Sequence, residues 1–248
     1  MARKLIAGNW KMNGNRATNA ALLADVLQGL ASGAPCDVAV CVPSVYLDQV
    51  SQIAAGTPLA WGAQDVSAKE SGAFTGEISA TMLKDFGVRF AIVGHSERRQ
   101  YHGETDVVVA AKAQTALAHG ISPIVCVGET LEQRDAGATE EVVKRQLAAV
   151  IHTVGHCVSE IVVAYEPVWA IGTGQTATPE QAQAVHAVLR AQLHAATEHA
   201  SGMRILYGGS MNASNAADLL KQPDIDGGLI GGAALKAADF LTIIRAAA

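Results

Sequence analysis

Short runs of apolar residues recur along the chain, and longer segments with helical periodicity separate them. Runs such as Ile124–Val127 and Ile161–Ala164 are continuously hydrophobic. Strands of a parallel sheet that helices cover on both faces read this way, whereas half-exposed strands alternate apolar and polar positions. The runs predict eight strands, at Lys4–Trp10, Asp37–Pro43, Leu59–Gln64, Phe90–Gly94, Ser122–Gly128, Ile161–Glu166, Arg204–Gly208 and Gly228–Gly231.

The segments between these runs carry signals that favour helices. Thr178–Glu180 places a proline at the first helical position, which is a good start signal. Glu140–Glu141 precede Lys144–Arg145, and this order of charges suits a helix dipole. The predicted helices are Ala20–Leu30, Thr105–His119, Thr139–Ile151, a helix from Pro179 to about Ala200, Asn212–Leu220 and Ala237–Ala246.

The alternation of strand and helix over the whole length predicts the fold class. Eight strand–helix units in a chain of 248 residues are typical of an α/β protein with a closed (β/α)8 barrel. An open, doubly wound sheet is the alternative that the pattern leaves. Because no proline-, serine- or charge-rich linker divides the chain, we expect one domain over residues 1–248.

Composition narrows the possible partners and the compartment. Half of the residues are hydrophobic and the net charge is −5, which argues against nucleic acid as the main partner but not against a small anionic ligand. No apolar run approaches the ~18 residues of a membrane span. Because no apolar h-region with a cleavage site follows Met1–Lys4, we expect no secretory signal. The cysteines Cys36, Cys41, Cys126 and Cys157 have no CxxC spacing, so we expect reduced thiols in a cytoplasmic protein.

Polar residues stand where several predicted strands end, which is where barrel enzymes place their active sites. Glu166 ends the sixth strand and precedes a glycine-rich loop, and Lys11 follows the first strand. His95 follows the fourth strand, and Ser96 is a candidate N-cap for the helical turn after it. A helix N-terminus beside His95 disfavours imidazolium, so we expect a neutral ring. A solvated lysine and a packed structural histidine remain alternatives.

Paired glycines follow the last two predicted strands. Gly208–Gly209 precede Ser210, and Gly231–Gly232 precede Ala233. Glycine lets the backbone approach a ligand closely, and barrels often bind phosphate with the loops after strands 7 and 8. The pairs therefore indicate a phosphate-binding site built from main-chain N–H groups.

Four segments together resemble the triosephosphate isomerase family, and they cover almost the whole chain in order. They are Asn9–Gly14, Gly94–Arg99, Ala164–Gly174 and Tyr207–Ser210. The resemblance implies a TIM barrel that needs no cofactor and no metal. It also implies an isomerase that interconverts dihydroxyacetone phosphate and D-glyceraldehyde 3-phosphate through an enediolate, in glycolysis and gluconeogenesis.

The resemblance also implies roles for individual residues. Glu166 is similar to the base that moves a proton between two carbons, and His95 to the electrophile that polarises the carbonyl. Lys11 and Asn9 resemble the polar groups around the substrate and its developing oxyanion, with Glu97 in support. The implied phosphate-binding residues are Gly172, Ser210, Gly231 and Gly232.

Two loops have further implied functions. The segment after Glu166 resembles a lid with hinges at Pro167–Trp169 and Thr173–Gly174 and a tip at Ala170–Gly172. Residues 65–79 resemble the loop that reaches into a neighbouring subunit, which implies a homodimer, whereas the sequence alone allows a mobile loop. Ala234 and Met211 stand where the family commonly has Ser and Val.

Two other functions remain open at this point. A barrel aldolase would use Lys11 to form a Schiff base with a similar phosphosugar, which requires a lysine of depressed pKa. A non-catalytic phosphosugar-binding protein would keep the glycine pairs without needing Glu166 and His95 together.

Overall fold

A computed structural model describes residues 3–173 and 175–248. Over these residues, parallel strands pair in chain order and the first strand pairs with both the second and the eighth, so the sheet closes into a barrel. The predicted barrel is confirmed, and the open-sheet alternative is wrong. The strands are β1 Leu5–Asn9, β2 Asp37–Val42, β3 Leu59–Ala63, β4 Phe90–Val93, β5 Ser122–Val127, β6 Val162–Tyr165, β7 Ile205–Tyr207 and β8 Gly227–Ile230.

Helices follow the strands and pack around the barrel. Every predicted helix is present, but the first begins at Arg16, four residues before the predicted Ala20, because Asn15 and Thr18 form a capping box there. The sequence pattern does not predict the three short helices at Leu47–Ala54, Ala80–Asp85 and Leu131–Asp135. The helices are α1 Arg16–Leu30, α2 Leu47–Ala54, α3 Ala80–Asp85, α4 Ser96–His102, α5 Asp106–Ala118, α6 Leu131–Asp135, α7 Thr139–Val154, α8 Pro179–Ala196, α9 Ala216–Leu220 and α10 Ala237–Ala246.

Two hydrophobic clusters explain why the strands read as continuous apolar runs. Alternate strand residues such as Leu5, Ile124 and Leu206 fill the inside of the barrel. Their neighbours, such as Ile6 and Val125, pack outward against the helices. Because successive side chains of a strand point to opposite faces and both faces are buried here, neither set can be polar.

A buried ion cluster fixes the segments that follow β3 and β4. Lys112 of α5 is buried, and its Nζ lies 2.7 Å from Asp65 Oδ1 and 2.6 Å from Glu104 Oε1. Arg98 of α4 contacts the same two carboxylates, at 3.0 and 2.6 Å. Since buried charges need partners, the cluster holds α4 against α5 and against the loop after β3.

The cysteines lie at buried or half-buried positions of the fold. Cys36, Cys41 and Cys126 are buried and Cys157 is half-buried, and all four are free thiols. Burial raises the pKa of Cys41 to about 12. In the two described ranges, no helix has both the length and the hydropathy that a transmembrane span requires.

His186 of α8 is a buried ionisable group of the outer layer. It lies between the rings of Tyr165 and Tyr207, and its Nδ1 is 3.0 Å from the carbonyl oxygen of Asp224. Burial lowers its pKa from 6.5 to about 4, although Asp224 opposes this shift. Between pH 6.5 and about 4, the His186 ring therefore binds a proton in the unfolded chain but not in the folded chain. This contribution to stability is complete above pH 6.5 and is lost as the pH falls towards 4.

We expect His186→Phe to remove this pH dependence. The free energy of unfolding of the original chain should fall between pH 7 and pH 4 by on the order of 3 kcal/mol more than that of the variant, because one pKa unit corresponds to about 1.4 kcal/mol. Urea unfolding across this pH range measures the difference. The exposed His199→Phe is the control, and parallel pH profiles for the original chain and His186→Phe would contradict the assignment.

Candidate active site

A cavity of about 370 Å³ opens at the carboxyl ends of the strands, and it brings together most of the predicted site residues. Glu97 does not line the cavity, but its Oε1 contacts the Lys11 ammonium group. Five further residues also line the cavity, although no motif assigned them a role there: Trp10, Asn13, Met211, Asn212 and Leu235. The predicted residues in its wall are Asn9, Lys11, His95, Glu166, Gly172, Ser210, Gly231 and Gly232.

Glu166 follows β6 directly, and only 2% of its surface is exposed. The backbone N–H of Ser96 donates to its Oε2 at 3.0 Å, and the Ser96 hydroxyl lies 3.4 Å from its Oε1. His95 Nε2 lies 2.9 Å from the same Oε1. A buried carboxylate needs such donors, and barrel closure supplies them from the end of β4. Sequence reasoning missed this role of Ser96, because 70 positions separate it from Glu166.

Two glycines make room for Glu166. A Cβ on Gly128 would lie 1.7 Å from the Glu166 carbonyl oxygen, and a Cβ on Gly208 would lie 2.9 Å from its Cγ. Atoms cannot approach so closely, so the backbone or the side chain of Glu166 would have to move. The neighbouring strand ends must therefore carry glycine for the carboxylate to reach this position.

His95 is itself the N-cap of α4, and Ser96 is the first residue of the helix. The expectation that Ser96 is the N-cap is therefore wrong. The backbone N–H of Glu97 donates to His95 Nδ1 at 3.2 Å. A nitrogen that accepts a hydrogen bond carries no proton, so the ring proton lies on Nε2 and is donated to Glu166. This is the hydrogen-bond pattern of an uncharged tautomer, and the neutral ring stays a prediction.

The pair of Glu166 and His95 shifts both pKa values. Burial lowers the pKa of His95, but the charge and hydrogen bond of Glu166 prevail and raise it. Burial raises the pKa of Glu166, but His95 and the Ser96 N–H prevail and lower it. In this contact the carboxylate, and not the helix N-terminus, decides the direction for the ring. Glu166 becomes a stronger base when it leaves these donors.

Lys11 lies at the end of β1 with its backbone in the left-handed region, at φ +53°. Its N–H donates to Asn9 Oδ1 at 3.0 Å, and its Nζ lies 2.5 Å from Glu97 Oε1. A Cβ on Gly231 would lie 3.7 Å from Lys11 Cε. The ammonium group therefore reaches from the first strand towards the glycine pair after β8.

The predicted lid is held on both sides in this structure. Ser210 Oγ donates to the Ala170 carbonyl oxygen at 2.8 Å. Trp169 Nε1 donates to the buried Glu129 at 2.9 Å, and the Arg134 guanidinium lies 4.2 Å above the Trp169 ring. Gly172, at the tip, has φ +71° and lines the cavity. Gly174, one of the predicted hinge residues, lies outside the described residues.

The two departures from the family pattern are both buried. Ala234 belongs to a 3₁₀ turn, Gly232–Leu235, and a Cβ on Gly8 would lie only 2.9 Å from its Cβ. Met211 follows Ser210, is buried, and lines the cavity. Within the part of the chain that the structure describes, no group of three or more His, Cys, Asp or Glu side chains could hold a metal ion.

The family model described as triosephosphate isomerase matches residues 4–247. The chain belongs to the triosephosphate isomerase family. It is similar to the triosephosphate isomerase of Delftia acidovorans, at 70% identity with 100% of each chain covered. The triosephosphate isomerase of Paracidovorax citrulli is 71% identical, with 99% of each covered.

Family membership decides between the functions that the sequence left open. The chain is an isomerase of glycolysis that interconverts dihydroxyacetone phosphate and D-glyceraldehyde 3-phosphate. The aldolase and the non-catalytic binding protein are therefore not supported. The substrate is a phosphorylated triose, which agrees with a small cavity that a lysine and two glycine pairs line.

We expect Gly128→Ala to displace Glu166 and to destabilise the fold by about 1–3 kcal/mol, as overpacking typically does. Urea unfolding measures the stability, and a coupled isomerase assay measures kcat. Gly202→Ala is the matched control, because a Cβ there meets no atom within 4 Å. If both variants kept the original kcat and stability, the close approach at Gly128 would not constrain Glu166.

Proposed function

We propose that Glu166 is the base of the isomerisation and that His95 is its electrophilic partner. Glu166 removes a proton from C1 of dihydroxyacetone phosphate, and the electron pair of that C–H bond forms the double bond of an enediolate. The same carboxylic acid then returns the proton to C2. His95 Nε2–H donates to the carbonyl oxygen and moves a proton between the two oxygens, so that the aldehyde forms at C1.

One contact carries this proposal: the 2.9 Å separation of Glu166 Oε1 and His95 Nε2 in the wall of the cavity. Two groups so close can act on adjacent atoms of a three-carbon substrate. The substrate would replace their mutual hydrogen bond, which frees the carboxylate to act as a stronger base. A positioned base typically contributes ~10²–10⁴-fold to the rate, so other groups must contribute as well.

Lys11 and Asn9 would stabilise the negative charge that develops on the substrate oxygens, and Glu97 would hold the Lys11 ammonium in place. Loss of one such donor typically costs ~10²–10³-fold in kcat. The 2.5 Å contact between Lys11 Nζ and Glu97 Oε1 supports this assignment. The main-chain groups of Gly172, Gly231 and Gly232, together with Ser210, would bind the phosphate.

The loop after Glu166 would close over the bound substrate as a lid. Its tip residues Ile171 and Gly172 line the cavity, and the hydrogen bond from Ser210 to Ala170 ties it to the loop after β7. Closure would exclude water, protect the enediolate and strengthen the electrostatic contacts inside the site.

Glu166→Asp tests the role of the base. The variant keeps the charge but withdraws it by one methylene, so we expect kcat to fall far more than KM rises. A coupled assay in both reaction directions measures the two constants. The exposed Glu198→Asp, which makes the same change far from the cavity, is the control. A change mainly in KM would mean that Glu166 binds the substrate and does not abstract its proton.

We also propose that residues 1–248 act as one domain in the cytoplasm and that two copies form a homodimer through the 65–79 loop. The four free thiols support a reducing compartment. Apolar side chains on the loops and short helices after β1 to β4 support the dimer, because monomers rarely expose such clusters. Exposed examples are Met12, Val45, Phe74, Met82 and Tyr101.

A second cavity, of about 290 Å³, supports the same face as the interface. It lies between Met12, Ser44, Gly76 and Arg98, so four successive loops contribute to it. The tip of the 65–79 loop from a second copy is the occupant that the dimer would supply. Because Lys11 also lines this cavity, the dimer would cover the back of the active site.

We expect Tyr101→Glu to weaken the dimer, because it places a charge in the proposed interface on a side chain that is 72% exposed in a single chain. Sedimentation velocity over a range of protein concentrations measures the association. Leu131→Glu makes the same change at a site that is 52% exposed, outside these loops. A single species of monomer mass in the original chain would contradict the dimer.

A further inference from the structure

Lys11 holds a backbone conformation that its side chain disfavours. Among the residues that the structure describes, Lys11 is the one non-glycine residue with a positive φ, which is +53°. An L-residue in the left-handed region crowds its own Cβ against the carbonyl oxygen, so neighbouring groups must hold it there. The N–H of Lys11 is held by Asn9 Oδ1, and its Nζ contacts Glu97.

Gln64 forms a hydrogen bond with the backbone carbonyl group of Lys11. Its Nε2 donates to the Lys11 carbonyl oxygen at 2.9 Å and to the Cys41 carbonyl oxygen at 3.1 Å. The Cys41 oxygen also accepts a hydrogen bond from the Trp10 N–H at 3.0 Å. Gln64 follows β3 directly, so one side-chain amide connects the end of β3 with the ends of β2 and β1.

We infer that Gln64 is a positioning residue for Lys11, an inference that rests on the proposed role of Lys11 towards the substrate. Without this amide, both carbonyl oxygens lose a donor and the left-handed turn loses its C-terminal support. The backbone at Lys11 would relax, and the ammonium group would leave its place between Glu97 and Gly231. A shift of about 1 Å in a catalytic group can cost on the order of 10²-fold in rate.

Two substitutions at Gln64 separate hydrogen bonding from packing. Gln64→Met keeps a side chain of similar length but cannot donate, and Gln64→Glu keeps the shape while its carboxylate can only accept. We expect both to lower kcat/KM by roughly 10- to 100-fold, because both leave the Lys11 carbonyl without its donor. Steady-state kinetics measures this, and urea unfolding shows how much protein is folded.

Gln183→Met is the matched control. Gln183 also makes two hydrogen bonds with its side-chain amide, to the Asp224 carboxylate and from the Asp224 N–H, on the outer layer of the barrel. We expect it to lower stability without changing kcat/KM. If Gln64→Glu had the kcat/KM of the original chain, or if Gln183→Met lost as much as Gln64→Met, the positioning role would be overturned.

Lys11→Met separates this inference from the proposed function. We expect Lys11→Met to lose activity and Gln64→Met to cause little further loss in that background, because the group that it positions is gone. Full additivity of the two losses would overturn the inference and leave the role of Lys11 intact. Unchanged kcat/KM in Lys11→Met would instead overturn the role of Lys11 itself, and the inference with it.

Discussion

The buried carboxylate of Glu166 requires hydrogen-bond donors, and the closed barrel supplies them. Glu166 is 2% exposed, and an ionised group so deeply buried is unstable unless donors face it. The Ser96 N–H and His95 Nε2 provide these donors at 3.0 and 2.9 Å. Both lie at the end of β4, so the carboxylate is stable only when the barrel is closed. The requirement for partners thus ties the chemistry of the site to the fold.

The same contacts keep Glu166 a weak base in the structure. In the structure, His95 and Ser96 lower the pKa of Glu166, and Glu166 raises the pKa of His95. In the mechanism that we propose, a substrate that separates the two side chains would remove these effects together. The carboxylate would then gain basicity and the imidazole would gain a free N–H, which are the two properties that proton transfer beside a carbonyl requires.

Two apolar clusters support the carboxyl ends of the strands, where the strained Lys11 and the other polar site residues lie. Below the mouth, one apolar cluster fills the barrel and another joins the strands to the helices. This rigid base allows Lys11 to keep a left-handed backbone that Asn9 and Gln64 hold at both ends. Side chains placed at strand ends also keep their geometry better than side chains on loops alone.

The sequence by itself determined the eight strands, the long helices, the glycine pairs and the strand ends that carry Lys11, His95 and Glu166. Burial on both faces imposes apolar runs, and helix caps are local signals, so both can be read along the chain. It did not determine the short helices α2, α3 and α6, which span too few turns for a periodic pattern. The partner of Glu166 at Ser96, the direction of the His95 pKa and the contact from Gln64 to Lys11 also came only from the tertiary structure. These depend on which strand ends meet when the barrel closes, and residues that are 53 or 70 positions apart carry no local trace of that contact.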